Sequence, residues 1–436
     1  MEFKFCQVFR TALPTVFTAG SLTVLARGLE TDTSQFGFLS PDQPGLTLPA
    51  ALPQNPAQPL DPNSAGAENE SQETPAAPRE NSFSKRLRFG LSVQSLYDDN
   101  VFLSNDHKEG AWVNRVTPIL RIGSTVPDSI WAMEAVYSPT WTTYASSSAK
   151  DSFDQAVAAT LHYNGSRLKA AASASYLEAS GNDRFVRDLF TTATTRGQLL
   201  LNYELSGRTS LESSIIWEKL DRQNTRNRIY NDDNTVSLQL SALWQATPIS
   251  RIGPSVRIGS TSSTLSPDRT FVDGLLRWDY ESSALLKFSA QAGMQWISFH
   301  GANGSTWRPS AALTGQYDLN PLWQLSMRAY SQSSPGPSVL NSDLQTTGIN
   351  GTLRWRPSDI LMVSAGAGYE RASYEFFGTS DDRTDDYTYG EMLVRIGRET
   401  SPATIELFYR RRLSDSSASG QDFVNNQAGI QISRRF

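Results

Sequence analysis

The stretch AALTGQYDLNPLWQLSMRAY, residues 311–330, contains the pattern that decides the fold. Within Trp323–Ala329, apolar and polar residues alternate, which is the signature of a β-strand with one apolar and one polar face. Asn320 and Pro321 precede this run and carry tight-turn chemistry. The stretch therefore predicts a β-hairpin with two-faced strands.

The same unit recurs from Phe83 to the end of the chain, with a period near 40 residues that fits two long strands, one short turn and one longer loop. A propeller repeat of similar length contains four short strands instead. Eight short turns, with both chain ends at the same rim, predict 18 strands, and 16 is the alternative. The short turns are predicted at 125–128, 164–166, 206–208, 247–250, 282–283, 320–321, 358–359 and 400–402.

The composition agrees with a barrel in a membrane and excludes several other classes of protein. Among 436 residues there are 20 Phe, 15 Tyr and 10 Trp but only one Cys, so an internal disulfide is impossible. A net charge of −5 argues against a nucleic-acid binder. The predicted fold is an all-β, transmembrane, antiparallel up-and-down β-barrel over residues 83–436.

The N-terminal residues form two further predicted segments. Residues 1–28 have a basic start, an apolar run and a small-residue site at Val24–Ala26, as in a secretory signal peptide; an uncleaved anchor is the alternative. Residues 29–82 are rich in proline and acidic side chains, which predicts a disordered periplasmic linker.

Alternation along the strands predicts which side chains face lipid and which face the lumen. Aromatic residues such as Tyr317 and Trp323 lie near the short turns, as an interfacial girdle would. The opposite face contains more basic than acidic residues, which predicts a water-filled pore with an anion bias. The alternative is that these arginines form cross-strand ion pairs. The candidate pore-lining residues are Arg115, Arg121, Arg251, Arg257, Arg277, Arg308, Arg328, Arg354, Arg356, Arg395 and Arg410.

The C-terminus carries a candidate assembly signal. Ile430 and Ile432 alternate with polar residues, and the chain ends at Phe436. A terminal Phe on such a strand resembles the signal that the bacterial barrel-assembly machinery reads, although Arg434 stands where an apolar residue is usual.

No pattern of residues indicates catalysis, a cofactor or a metal site. The three histidines, His107, His162 and His300, fall in separate places, and no Ser, His and acid share a recognisable arrangement. We therefore expect no enzymatic activity, although a barrel enzyme stays open as a second alternative. The acidic pairs Asp98-Asp99, Asp232-Asp233, Asp381-Asp382 and Asp385-Asp386 are interpreted as solvated loop residues, with calcium bridging as the alternative.

The first hairpin contains Tyr97-Asp98-Asp99-Asn100-Val101-Phe102, followed by Trp112–Pro118. This stretch resembles the start of outer-membrane β-barrel porins associated with exopolysaccharide gene clusters. The resemblance implies an outer-membrane barrel that is tied to polysaccharide secretion. The predicted pore and its inward basic residues indicate a passive channel for small hydrophilic or anionic solutes in the outer membrane of a Gram-negative-type bacterium. An accessory barrel for exopolysaccharide export, working with export proteins, is the alternative that the resemblance raises.

Overall fold

The computed structural model of the protein describes residues 87–436 apart from 124–129, 146, 186–188, 225–229, 283–284, 302–303, 337–341, 378–382 and 399–400. The described residues form twenty β-segments and no helix, so none could cross a membrane as a long apolar helix. All segments belong to one antiparallel sheet, whose first and last strands pair with each other. The predicted signal peptide and linker, residues 1–82, lie outside the described residues.

The segments follow one another along the chain without a crossover. Their bounds are β1 Leu87–Asp98, β2 Ala111–Gly123, β3 Trp131–Tyr137, β4 Thr140–Ala145, β5 Ser152–Asp154, β6 Ala156–Asn164, β7 Leu168–Asn182, β8 Leu189–Ser206, β9 Thr209–Asn224, β10 Asp233–Thr247, β11 Ser250–Ser263, β12 Arg269–Glu281, β13 Leu286–Phe299, β14 Gly304–Asn320, β15 Trp323–Pro335, β16 Ser342–Ser358, β17 Leu361–Phe376, β18 Arg383–Ile396, β19 Ala403–Ser416 and β20 Phe423–Arg435.

Two of the barrel strands are interrupted in the middle, which reduces the twenty segments to 18 strands. Segments β3 and β4 both pair with β2 and form one strand, broken at Ser138 and Pro139. Segments β5 and β6 form the next strand, broken at Gln155. Pro139 has no N–H to donate, so it fits such a break. The prediction of a closed 18-stranded barrel is confirmed, and the 16-stranded alternative is wrong.

The connections at the two ends of the barrel differ as the sequence predicted. Short turns such as 207–208, 248–249 and 321–322 join strands at one end, which we call the short-turn rim. Longer connections such as 99–110 join strands at the other end, the loop rim. The first strand begins and the last strand ends at the short-turn rim, where the backbone N–H of Phe436 donates to the carbonyl oxygen of Phe89 (2.8 Å). The predicted turn at 125–128 lies outside the described residues.

The outer face of the barrel is apolar and exposed over its whole circumference. Leu240, Met294 and Ile349 are about half exposed, at 52%, 45% and 49%. A soluble protein does not leave so much contiguous apolar surface in water, whereas lipid requires it. Closure also leaves no unpaired strand edge, which a membrane-spanning sheet cannot tolerate. The chain is therefore a membrane-spanning barrel of the bacterial outer-membrane type.

Aromatic side chains near the short turns lie on this outer face. Tyr203, Trp244 and Tyr317 are 41%, 52% and 43% exposed. Trp323 and Trp355, which are opposite each other on β15 and β16, stack with ring centroids 5.5 Å apart. Such rings sit at the boundary between hydrocarbon and headgroups, so the short-turn rim marks one membrane surface.

Buried side chains concentrate inside the barrel, towards the loop rim. One cluster contains Leu96, Val101 and Val113, and another contains Leu344, Ala372 and Tyr374. Near the short-turn rim, charged inward side chains stay accessible, as for Arg251 (42% of the side chain exposed) and Glu204 (50%). The lumen is therefore polar and accessible near the short-turn rim and packed with side chains towards the loop rim.

Candidate functional site

The inner face of the barrel is the candidate site, and strand register decides which side chains lie there. Arg257 on β11 is opposite Gln239 on β10 and Asp273 on β12. Its neighbours along the strand, Val256 and Ile258, are 47% and 41% exposed on the lipid face. Successive side chains alternate between the faces of a strand, so Arg257 faces the lumen. The same alternation places all eleven candidate arginines on the inner face.

Seven of the eleven arginines form ion pairs across strands, so the ion-pair alternative applies to them. Each carboxylate partner also lies on the inner face, close enough for direct attraction between opposite charges. The pairs are Arg121–Glu134 (3.2 Å), Arg251–Asp279 (3.3 Å), Arg257–Asp273, Arg277–Glu212 (2.6 Å), Arg308–Asp343 (2.8 Å), Arg395–Glu406 (2.6 Å) and Arg410–Glu391 (3.3 Å).

The other candidates have different surroundings. Arg115 donates to the side-chain oxygen of Gln94 (2.8 Å), and Arg354 donates to that of Gln324 (2.9 Å). Arg328 lies with its guanidinium carbon 5.2 Å from the ring centroid of Tyr330, and no salt bridge joins it to a carboxylate of the described residues. Arg356 lies at the short-turn end of β16. A role for these eleven residues in lining an open pore stays a prediction.

Several acidic residues interpreted as solvated loop residues lie instead inside the barrel. Asp98, Asp233 and Asp385 are 8%, 9% and 5% exposed and belong to strands. Asp233 pairs with Arg222 (3.1 Å), and Asp385 pairs with Arg383 (2.5 Å). The interpretation was wrong for these three because the strands continue beyond the predicted loop boundaries. Asp381 and Asp382 lie outside the described residues.

The Asp98-Asp99-Asn100 motif of the first hairpin lies at the seam between β1 and β20. Asn425 and Gln427 of β20 each donate to the Asp98 carboxylate, at 2.6 and 2.7 Å. Asn426 donates to Asp99 through its backbone and its side chain, at 2.6 Å in both cases. We call these residues the seam cluster. The motif that suggested a family resemblance thus joins the first and last strands.

Neither a metal-binding group nor a histidine cluster occurs in the described part of the chain. No three His, Cys, Asp or Glu side chains there are placed to hold an ion. His162 lies on β6, His300 follows β13, and His107 lies between β1 and β2. The structure thus does not bring the histidines together.

A connection at the loop rim crosses the lumen to the opposite wall. Residues 183–185 follow β7, and Arg184 forms a buried ion pair with Glu370 of β17. Around the barrel, eight strands separate β8 from β17 in one direction, and seven strands separate β7 from β17 in the other. The contact therefore joins opposite walls of the barrel across the lumen.

The environment of Arg184 on the far wall contains both charge and aromatic rings. Its guanidinium carbon lies 4.3 Å from the ring centroid of Tyr387 and 4.4 Å from that of Phe185. Tyr330 donates its hydroxyl to Glu370, while Phe185 contacts Tyr374 with ring centroids 6.4 Å apart. We call Glu370, Tyr330, Tyr374 and Tyr387 the cradle.

Other connections at the loop rim also turn inward. Leu103, between β1 and β2, packs on Tyr387 and Phe423. The side chain of Asn231 donates to the carbonyl oxygen of Gly336, on a connection six strands away (3.1 Å). Alternation along β17 places Glu370 on the inner face, but alternation cannot identify Arg184, because a loop residue has no periodicity. The only local signal was an Arg-Phe pair in a polar loop.

Comparisons with known proteins give no family assignment. No family model matches the sequence, and no curated protein matches it. Among solved structures, OccK9 (OpdG) of Pseudomonas aeruginosa is similar over 81% of this chain and 100% of its own, with 13% identity and a TM-score of 0.47. OccAB4 of Acinetobacter baumannii is similar over 80% and 98%, with 12% identity and a TM-score of 0.45. At such values, no property of these proteins is carried over to this chain.

Proposed function

We propose that the protein is a porin-like outer-membrane channel for small hydrophilic solutes, closed at the loop rim in the state described. The observation that carries the proposal is the inner face itself. A closed wall with apolar side chains outside encloses charged side chains that remain accessible from the short-turn rim, such as Arg251 and Glu204. Charged side chains facing the interior of a barrel make a path for water and solutes.

We further propose a preference for anions, smaller than the number of inward arginines suggests. The seven ion pairs cancel much of the positive charge of the wall. Arg115 is bonded to a neutral amide, and Arg328 lies beside Tyr330. Their positive potential is only partly screened, since the Debye length is about 8 Å at physiological salt, and charged groups lining a pore bias which ions pass.

Single-channel recording in planar bilayers tests both parts of the proposal. We expect rare or small openings for the native protein and larger, frequent openings for Arg184→Ala, because that change removes the contact that crosses the lumen. Reversal potentials in a KCl gradient should indicate chloride preference. No conductance from either protein would contradict the channel, and cation preference at neutral pH would contradict the anion bias.

A second candidate function is an accessory barrel for polysaccharide export that opens only with a partner. The crossing contact between Arg184 and Glu370 favours it, since a barrel closed by its own loop needs a trigger. Barrel-assembly machinery and export proteins are the partners that this proposal requires. It predicts that Arg184→Ala conducts while the native protein stays closed under all tested voltages and salts.

A further inference from the structure

We infer that the cradle is a binding site for guanidinium-bearing solutes, which Arg184 of the same chain occupies in the closed state. The inference deepens the proposed channel function and rests on it, because such a solute would compete with Arg184 and open the path. The ligand class follows from the group that the site already holds. A guanidinium is flat, carries a delocalised charge and combines a carboxylate partner with stacking on aromatic rings.

The cradle provides both kinds of contact that this group requires. Glu370 supplies a carboxylate, which accepts charge-assisted hydrogen bonds. Tyr387 supplies a ring face 4.3 Å from the guanidinium carbon, well within the range of a cation–π contact. The hydroxyl of Tyr330 donates to Glu370 and fixes the orientation of the carboxylate.

Because the carboxylate of Glu370 is buried, it needs a cation beside it. The side chain of Glu370 is only 7% exposed, and Tyr374 and Tyr387 are each 3% exposed. A buried carboxylate without a partner is strongly unfavourable. If Arg184 leaves, another cation of similar shape therefore restores the lost interactions, whereas a neutral molecule of the same shape does not.

The parts of the site belong to different elements, so its ligand can leave without disturbing the wall. Tyr330, Glu370, Tyr374 and Tyr387 lie on β15, β17 and β18, which are held by continuous strand pairing. Arg184 lies outside any strand. Because Arg184 belongs to the same chain, its guanidinium acts on the cradle at an effective concentration of about millimolar. A free guanidinium solute should therefore compete with it at roughly millimolar concentrations.

Arg383 also combines a buried carboxylate, Asp385, with a ring, that of Tyr374 at 4.6 Å, but Arg383 belongs to β18 and is part of the wall itself. Arg308 pairs with Asp343 and with Glu375, whose side chain is 58% exposed. Arg371 pairs with Asp386 on the outer face, and its side chain is 55% exposed. Arg371→Ala is therefore a matched control, because it removes an arginine from a carboxylate, Asp386, that water can reach.

Chemical rescue of an emptied cradle tests the inference. N-ethylguanidinium is titrated into the purified full-length Arg184→Ala protein by calorimetry, with neutral N-ethylurea as the control ligand. We expect binding at least tenfold tighter than to the native protein, and none for N-ethylurea. Arg371→Ala should bind no more tightly than the native protein. Absence of binding to Arg184→Ala, or equal binding of both ligands, would overturn the inference.

Two further variants show that the cradle itself holds the ligand. Arg184→Ala combined with Glu370→Gln should lose binding, and equal affinity in that double variant would overturn the inference. Because Glu370 is buried, the double variant is first checked for the heat-modifiable folded form. Arg184→Ala combined with Tyr387→Leu keeps the carboxylate, and it should bind severalfold more weakly than Arg184→Ala; unchanged affinity would contradict the role of the ring.

Conductance measurements distinguish a failure of this inference from a failure of the proposed function. We expect N-ethylguanidinium to increase the open time of the native channel, because it displaces Arg184, and to leave the open time of Arg184→Ala unchanged, because that variant has already lost the crossing contact. Ligand binding without conductance from any variant would contradict the channel but leave the site. Conductance from Arg184→Ala without ligand binding would leave the channel and contradict the site.

Discussion

Arg328 shows how much the chemistry of a single lumen residue depends on its partners. Its guanidinium lies beside the ring of Tyr330, whereas Arg257, on the same face of the wall, pairs with Asp273. Both follow the same alternation in the sequence, so the sequence could place them on one face but could not predict which was neutralised. The partner is set by register between strands, which no local pattern contains.

Replacement of Arg328 by Gln should reduce the anion preference of the channel. The change removes a lumen charge that no described carboxylate neutralises, so the reversal potential in a KCl gradient should move towards zero. Arg371→Gln is the matched control, since it removes a paired arginine from the outer face and should leave the reversal potential unchanged. A shift of the same size in both variants would contradict the assignment.

Met327 and Ser326 are neighbours on β15 that test which face meets lipid. Met327 is 47% exposed on the outer face, and Ser326 faces the lumen opposite Thr352. Met327→Arg should destabilise the barrel by about 2–4 kcal/mol, the typical cost of a charge near the middle of the bilayer. Ser326→Arg should cost much less. Urea unfolding in lipid vesicles measures both, and equal losses would be inconsistent with the assigned faces.

Among the elements, the pairing of β1 with β20 closes the barrel, and the seam cluster strengthens it at the loop rim. Asn425 donates to Asp98 (2.6 Å) and to the backbone oxygen of Asn100 (3.2 Å), and all three residues are buried. The sequence pointed to this motif only through a resemblance. Its structural role depends on residues more than 300 positions apart, so no local pattern could reveal it.

Replacement of Asn425 by Ala should weaken the seam. Losing a donor to a buried carboxylate typically costs about 1–3 kcal/mol, so the heat-modifiable form should unfold at a lower temperature. Asn114→Ala is the control, because Asn114 accepts from Ser95 in an exposed pair between β1 and β2. If both variants unfolded at the same temperature, the seam cluster would have no special role.

The last strand also carries the predicted assembly signal. Ile430 and Ile432 are exposed on the lipid face, at 39% and 49%, and Phe436 is 69% exposed. Deletion of Phe436 should lower the amount of assembled barrel several-fold at native expression, with the conductance of the barrels that do assemble unchanged. Normal levels in the outer membrane would contradict a C-terminal signal.

For the whole molecule, local chemistry was sufficient to predict the fold but not the contact that crosses the lumen. The alternation of apolar and polar residues and the tight-turn residues recur in each hairpin. Each hairpin is therefore independent evidence for a barrel. The contact of Arg184 with Glu370 joins opposite walls, and it depends on where a single loop falls after closure. Asp98 and Asp385 were misassigned for a related reason, since strand ends beyond the membrane lose the two-faced pattern.

The barrel should form without the predicted linker. Strand pairing between β1 and β20 closes the sheet with residues 87–436 alone. Deletion of residues 29–82, with the signal peptide retained, should therefore leave the amount of heat-modifiable barrel unchanged. Loss of that form on gel electrophoresis would show that the segment takes part in folding.

The seam has a consequence for how such a chain could be rearranged. Because β1 and β20 are antiparallel neighbours whose ends meet at the short-turn rim, they form a hairpin that lacks only its turn. A circular permutation that joined these ends and opened the chain at another short turn would give the same wall with a different first strand. The same folded barrel could therefore have its chain ends at any of nine places on the short-turn rim, namely the eight short turns and the seam.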